Sequence, residues 1–316
     1  MKIVFMGTPD LAATVLDKLL QSEHEILAVV TQPDKPKGRG KQMQYPPVKQ
    51  LALKYQLPVY QPNKAKDEEF IKKLEEINPE CIVVAAYGKI LPKAIIDLPK
   101  YGCINVHASL LPKYRGAAPI QWSIINGEEK TGITIMYMDV GLDTGDMIMK
   151  EEVIIEPKET AGSLHDKLAV CGGQLLIKAL KDIEHGIAIR EQQKEEESTY
   201  AKMLDKTLGH IDFSNSAVEI ERLIRGLNPW PSAYTFLDGK SLKIWEAAVE
   251  QEESETSKDS NTGKPGEILE VSKDSIIVQT GGGRLILHEV QLEGKKRMTV
   301  DAFIRGFDLQ VGKILF

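Results

Sequence analysis

The strongest restriction on the fold of this chain is an alternation, running from residue 2 to residue 185, of short apolar runs with longer stretches whose apolar residues recur at helical spacing. A short apolar run forms a buried strand. An amphipathic stretch turns its apolar stripe onto the strands it joins, and a helical crossover leaves consecutive strands parallel. Strands are predicted at 2–6, 25–30, 81–85, 103–106 and 131–137. Helices are predicted at 11–20, 47–54, 68–76, 119–126 and 163–185, the last with a capping signal in Ser163 followed three residues later by Asp166. The unbroken run Cys81-Ile82-Val83-Val84-Ala85-Ala86 suits a central parallel strand covered on both faces. The expected fold is α/β, a doubly wound, mostly parallel, Rossmann-like sheet.

Past residue 189 the texture changes. Residues 190–199 are polar and Glu-rich and read as a connector. Beyond residue 206 come a helix at 217–225, a turn at Asn228-Pro229-Trp230-Pro231, and short strands at 233–236, 242–247, 266–271, 275–279 and 284–291. Strands at this spacing, divided by glycine and polar turns, predict a small C-terminal β-barrel of OB-like type. Residues 250–262 contain no apolar side chain and read as a disordered loop. The expected division is a first domain at 1–189, a linker at 190–206 and a barrel domain at 207–316. A length of 316 residues, 42% hydrophobic and 27% charged, suffices for two cores and a soluble surface.

The formal net charge of −6 argues against indiscriminate coating of nucleic acid, which needs clustered cations. A local patch remains in Lys35-Pro36-Lys37-Gly38-Arg39-Gly40-Lys41, with four cations in seven residues. No signal-peptide run opens the chain and no stretch reaches the length of a membrane span, so a cytoplasmic protein without a membrane partner is expected. Cys81, Cys103 and Cys171 are far apart, without a CxxC pair, and read as reduced core thiols. His24, His165 and His185 are expected to face solvent. Trp230 and Trp245 are expected in core or turn packing, and Lys295-Lys296-Arg297 reads as a solvated surface run.

Gly7-Thr8-Pro9-Asp10 offers one glycine where the dinucleotide fingerprint needs three, and no phosphate-binding GxxxxGK[ST] run occurs, so neither NAD nor ATP is indicated. The informative segment is Asn105-Val106-His107-Ala108-Ser109-Leu110-Leu111-Pro112, at the end of a predicted strand. Residues two apart on a strand share a face, so Asn105 and His107 aim at one spot at the carboxyl edge of the sheet, where ligands of open α/β sheets bind. An amide donor beside an imidazole there can hold the oxyanion of a tetrahedral intermediate. Met138-Asp139-Val140-Gly141-Leu142-Asp143-Thr144-Gly145-Asp146 follows the next strand and brings a carboxylate, Asp143, to the same edge, to orient the imidazole or collect a proton.

These two segments together resemble the signature of the folate-dependent formyltransferases. Three further stretches resemble the members that act on a charged tRNA: Phe5-Met6-Gly7-Thr8-Pro9, the loop Gln32-Pro33-Asp34 running on to Lys41, and Leu227-Asn228-Pro229-Trp230-Pro231. The resemblance spans essentially the whole chain except residues 250–262. It implies 10-formyltetrahydrofolate as formyl donor, no metal, and Asn105, His107 and Asp143 as the catalytic trio. It implies that Ser109, Leu110, Leu111 and Pro112 contact the folate and that Gly88, Ile90 and Leu91 help wall the pterin pocket. The acceptor it implies is the amine of initiator methionyl-tRNA. Lys35, Lys37, Arg39 and Lys41 would touch the acceptor end, and the C-terminal barrel would dock the RNA through cations such as Lys243, Lys264, Arg284, Lys295, Lys296 and Arg305. We expect a monomer. Two other readings stay open on the residues alone: formyl transfer or hydrolysis on a small-molecule amine, and a non-catalytic folate- or RNA-binding module.

Overall fold

A computed structural model describes residues 1–37, 42–250 and 263–316. Its contacts divide into two compact units, one of Met1–Pro119, Lys130–Ile154 and His165–Ala201, the other of Ile120–Glu129, Ile155–Leu164 and Lys202–Phe316.

The elements through the first unit are β1 (Lys2–Gly7), α1 (Asp10–Leu20), β2 (Glu25–Val30), β3 (Lys35–Lys37), β4 (Gln42–Gln44), α2 (Pro47–Lys54), β5 (Val59–Tyr60), α3 (Glu68–Ile77), β6 (Cys81–Ala85), α4 (Lys93–Ile96), β7 (Cys103–His107), β8 (Arg115–Gly116), α5 (Pro119–Ile125), β9 (Lys130–Tyr137), β10 (Met147–Ile154), α6 (Ala161–Glu184) and β11 (Tyr200–Ala201). All but the first residue of α5, and the first turn of α6, fall in the second unit. Seven strands form one sheet in the order β10-β9-β7-β6-β1-β2-β5. The ladders from β5 to β7 are parallel, whereas β9 runs antiparallel to β7 and to β10. The expected mostly parallel sheet is therefore present. β10 escaped the sequence reading because Lys150, Glu151 and Glu152 split its apolar residues, Met147-Ile148-Met149 and Val153-Ile154, into two pieces too short to read as a strand.

Both faces are covered. Val4, Met6, Ala28, Val30, Ile82 and Val84 pack with Phe70 and Leu74 of α3 and Ile95 and Ile96 of α4. On the other face α6 comes so close that a Cβ on Gly172 would meet Val106 Cγ1 at 2.9 Å. Each fully buried aliphatic side chain in these layers contributes about 1.5–3 kcal/mol against chain entropy. Strand order reverses beside β1, whose neighbours are β2 and β6, and such a switch point, just past the end of β1, is where open α/β sheets bind ligands. There Thr8 Oγ1 donates to the Tyr87 carbonyl at 3.1 Å.

Two expectations are corrected in detail. The α6 cap is Thr160, not Ser163: Ser163 N–H donates to Thr160 Oγ1 at 3.2 Å and Thr160 N–H to Ser163 Oγ at 3.0 Å, because the helix starts two residues before Ser163. His24 is buried, at 6% exposure, with Nδ1 3.2 Å from the amine of Met1. Burial, then the charge of that amine, lowers its pKa below the ordinary 6.5. The three cysteines are free and buried, and burial pushes the thiols of Cys103 and Cys171 up to about 12 and about 11.

The second unit adds α7 (Ala217–Gly226), β12 (Ala233–Leu237), β13 (Lys240–Val249), β14 (Ile268–Val271), β15 (Ile276–Gln279), β16 (Arg284–Leu292), β17 (Met298–Thr299) and α8 (Val300–Gly306). α7 opens with a capping box, in which Ser216 Oγ accepts from Glu219 N–H and the Glu219 carboxylate accepts from Ser216 N–H, a device worth about 1 kcal/mol. The strands form an antiparallel sheet in the order β12-β13-β16-β15-β14, with β17 on β16. Its apolar face packs against Ile220 and Ile224 of α7 and Phe303 of α8. No sheet closes as a barrel among the described residues, so of the expected OB-like barrel the antiparallel strands are what is present. Residues 312–316 instead meet both edges: Leu315 N–H donates to Gly266 O and Ile268 N–H to Lys313 O, each at 2.8 Å, while Phe236 N–H of β12 donates to Phe316 O at 2.9 Å. The expected disordered run lies, apart from Glu250, outside the described residues. Trp230 is 54% exposed in its turn, and Trp245 is half-buried on the sheet under Arg297, whose Cζ stands 4.8 Å from the ring centroid. No helix among the described residues is long and apolar enough to cross a membrane.

Candidate active site

The site begins at the carboxyl end of β7. Asn105 pairs in register with Val84, so Asn105 and His107 share the face that carries α3 and α4, and Val106 faces α6. The loop between β9 and β10 brings Asp143 against them. Asn105 Nδ2 lies 3.5 Å from Asp143 Oδ1, and His107 Nδ1 lies 3.7 Å from Asp143 Oδ2. Gly116 N–H donates to Oδ2 at 2.9 Å. The three side chains named from the sequence are thus gathered around one carboxylate, with His107 at 6% and Asp143 at 15% exposure. The second imidazole nitrogen, Nε2, is 2.9 Å from the carbonyl of Tyr114. A carbonyl oxygen only accepts, so Nε2 carries a hydrogen and Nδ1 holds the lone pair of the neutral ring. Nδ1 is the nitrogen turned toward Asp143.

Residues invisible to the sequence reading hold this arrangement. β8 pairs with β11, with Arg115 beside Tyr200 and Gly116 beside Ala201. Gly116 has φ +114°, and a Cβ there would stand 2.7 Å from the Ala201 carbonyl, so only glycine brings its N–H to the carboxylate. Buried Arg115 donates from Nε to Gln193 Oε1 at 3.0 Å and pairs with Glu195 at 2.8 Å. Gln193 Nε2 donates to the carbonyls of Asp143 and Gly145 at 2.8 and 2.9 Å. An arginine and a glutamine 78 residues apart give no local signal.

The turn after β7 is closed from within. Thr134 Oγ1 donates to Ser109 O at 2.7 Å and accepts from Leu111 N–H at 3.1 Å, while Ser109 Oγ donates to Lys113 O at 2.7 Å. Leu111 packs on Met136 and Met147, leaving Leu110 and Pro112 half-buried. Leu91 is buried with Tyr87, Ile96, Cys103 and Met138, next to β7 and the start of the Asp143 loop. Ile90 stands 88% exposed. Gly88 takes φ +78° where Gln32 Nε2 donates to Tyr87 O and Gly88 O at 3.0 and 3.3 Å. The Tyr87 hydroxyl is pushed up to about 12 by burial.

A cleft of about 600 Å³ lies at the ends of β1 and β2, lined among others by Thr8, Gln32, Lys35, Tyr45, Pro46 and Gln50. Lys35 and Lys37 lie on β3, which pairs with β4, while Arg39 and Lys41 lie outside the described residues. The base of this hairpin is tied down at Asp34, whose carboxylate accepts from Lys49 at 2.7 Å and Gln61 at 2.8 Å; these bonds lower its pKa below the ordinary carboxylate value. In the second unit Arg284, Arg297 and Arg305 pair with Glu250, Glu289 and Asp301, whereas Lys243 stands 5.5 Å from the Trp245 ring centroid. No group of His, Cys, Asp and Glu among the described residues is arranged to hold a metal.

An α/β sheet with Asn, His and Asp gathered at its carboxyl edge, followed by an antiparallel lobe, defines a class, and the chain belongs to it: residues 1–180 match the family "Formyl transferase" and residues 203–308 match "Formyl transferase, C-terminal domain". Among its relatives, the methionyl-tRNA formyltransferase of Clostridioides difficile (strain 630) is 55% identical over 315 residues, covering 100% of each chain. That of Lachnospira eligens is 52% identical over 315 residues, covering 100% of this chain and 99% of its own. Among solved structures, WlaRD, a sugar 3N-formyl transferase in the presence of dTDP and 5-N-formyl-THF, superposes with a TM-score of 0.67 over 94% of this chain and 99% of its own. At 21% identity that likeness shows the fold alone.

Proposed function

We infer that this chain transfers the formyl group of 10-formyltetrahydrofolate to the α-amine of methionyl-tRNA. The observation that carries the reading is the convergence of Asn105 and His107, from one strand face, on the carboxylate of Asp143. The full-length relatives, named for methionyl-tRNA, favour that acceptor over a small-molecule amine. The acceptor is the initiator species, and the protein acts in the cytoplasm as a monomer.

The α-amine of an amino acid titrates near 7.7–8.0, and esterification lowers it, so a large share is an uncharged nucleophile at cellular pH. It attacks the formyl carbon, forming a C–N bond and an oxyanion that Asn105 Nδ2 receives as hydrogen-bond donor. The amine's extra proton passes to His107 Nδ1, beside the Asp143 carboxylate. As the bond from carbon to N10 breaks, that proton is available to N10, and the products are tetrahydrofolate and the formylated amine. Ser109, Leu110, Leu111 and Pro112, with Gly88, Ile90 and Leu91, hold the folate. The acceptor end enters the cleft beside Thr8 and Lys35, with Lys37, Arg39 and Lys41 on its backbone and bases.

The division we propose is catalytic over 1–189, connecting over 190–206 and RNA-docking over 207–316. An OB-like reading of the last part is supported by residues 312–316 bridging the β12 and β14 edges. The test offers the purified protein 10-formyltetrahydrofolate with charged initiator tRNA, charged elongator tRNA or a panel of small amines. Preferential formylation of charged initiator tRNA is expected, and turnover of a small amine with none of tRNA would reject the reading.

A further inference from the structure

We propose that Gln193 is a positioning residue for the reaction, holding the Asp143 carboxylate at its working place beside His107; the proposal rests on the catalytic reading of Asp143 given above. The loop that carries Asp143 joins the antiparallel strands β9 and β10, and nothing in a hairpin loop by itself directs its tip to a strand residue 38 positions earlier. Asp143 also has a left-handed backbone, φ +54°, which a non-glycine residue adopts at a cost and keeps only where its surroundings hold it. Gln193 supplies the restraint. Its amide donates both hydrogens, one to the carbonyl of Asp143 and one to the carbonyl of Gly145, and so bridges the two residues that flank Thr144.

The amide is itself oriented. Its oxygen accepts from Nε of buried Arg115, and a guanidinium only donates, so the flipped amide, with its NH₂ group toward Arg115 and its oxygen toward two carbonyls, is excluded by repulsion at both ends. The segment is registered by the pairing of Tyr200 and Ala201 with Arg115 and Gly116. The adjacent Gly116 N–H then meets the Asp143 carboxylate directly. Two residues of one short strand therefore act on Asp143 from two sides, Gly116 on the side chain and Arg115, through Gln193, on the backbone. Without the Gln193 amide the loop is free to leave the left-handed turn, and the carboxylate moves away from Nδ1 of His107. Displacements of about 1 Å at a catalytic group cost up to roughly 100-fold in rate.

The test uses the full-length protein with 10-formyltetrahydrofolate and charged initiator tRNA. Gln193→Leu removes both donors and Gln193→Glu keeps the acceptor for Arg115 but cannot donate to the two carbonyls, so the second variant reads the same restraint if the first does not fold. Each is expected to lower kcat about 10- to 100-fold with both KM values changed by less than about threefold. On an Asp143→Asn background the further loss should be less than about twofold, because the effect passes through Asp143. Amide hydrogen exchange over residues 141–145 should rise in both variants. Full kcat in Gln193→Glu, losses that multiply with Asp143→Asn, or unchanged exchange would each overturn the proposal. If Asp143→Asn itself kept wild-type kcat, the catalytic reading of that residue would be what failed, and the exchange measurement would still decide whether Gln193 holds the loop.

Discussion

At the scale of single residues, the trio was legible because strand periodicity is local: Asn105 and His107 are two apart, and their common face needs no knowledge of the rest of the chain. Asp143 was placed only by its position after the next strand. On the proposed mechanism, replacing Asn105 or His107 by alanine removes a group that acts on the transition state, so turnover should fall roughly 100- to 1,000-fold with little change in folate binding; single-turnover kinetics and folate titration measure the two separately. Thr134 serves the same site from beneath. Thr134→Val strands the buried Leu111 N–H and Ser109 carbonyl, and a loss of about 1–3 kcal/mol in urea-denaturation stability is expected. His24 makes a pH prediction. Its folded pKa lies below 6.5, so the unfolded chain binds the proton more readily. Stability is therefore level above the unfolded value and declines as pH drops below 6.5 toward the folded value. The facing groups are the Met1 amine, Glu184, Glu23 and Lys181. Melting temperatures between pH 8 and pH 5 should fall less steeply for His24→Asn than for the wild type, and superimposable slopes would contradict the assignment.

At the scale of elements, long periodic segments were read within a residue or two, since a helix such as Glu68–Ile77 or a strand such as Cys81–Ala85 is written in its own side chains. Among the elements missed, Val59–Tyr60, Arg115–Gly116, Tyr200–Ala201 and Met147–Ile154 are short or polar and exist because a partner strand satisfies their backbone, a fact carried by the partner. The β3–β4 hairpin is likewise fixed from outside, through Asp34, Lys49 and Gln61. The basic segment 35–41, in which 38–41 lie outside the described residues, is expected to meet the acceptor end, where the planar fork of Arg39 addresses a base or phosphate. A lost bidentate contact of about 1–3 kcal/mol should raise the KM for tRNA roughly tenfold in Arg39→Ala and leave the folate KM alone. An unmoved tRNA KM would remove the loop from recognition.

For the whole molecule, a net charge of −6 requires that any RNA-docking surface be asymmetric. Lys243 over Trp245 and exposed Lys296 are the cations to test in the second unit, because Arg284, Arg297 and Arg305 already face carboxylates. Lys243→Gln and Lys296→Gln should each weaken tRNA binding and flatten the log–log salt dependence by roughly one unit, as read by filter binding across a salt series; unchanged slopes would place the RNA elsewhere. The chain also passes between its two compact units more than once, with Ile120–Glu129 and Ile155–Leu164 belonging to the second. A boundary near residue 200 is visible as a change of texture, but those two excursions are amphipathic or polar segments like their neighbours, and only contacts assign them. By itself the sequence determined the parallel sheet, its two helical coats and the strand that presents Asn105 and His107, since each follows from spacing along a few residues. Tertiary structure alone decided how closely Asp143 approaches Asn105 and His107, that His107 turns Nε2 to the Tyr114 carbonyl and Nδ1 to Asp143, and that residues 312–316 lie across both edges of the C-terminal sheet. Those outcomes depend on which hydrogen-bond partners are brought together from distant positions, and distance along the chain carries no record of that.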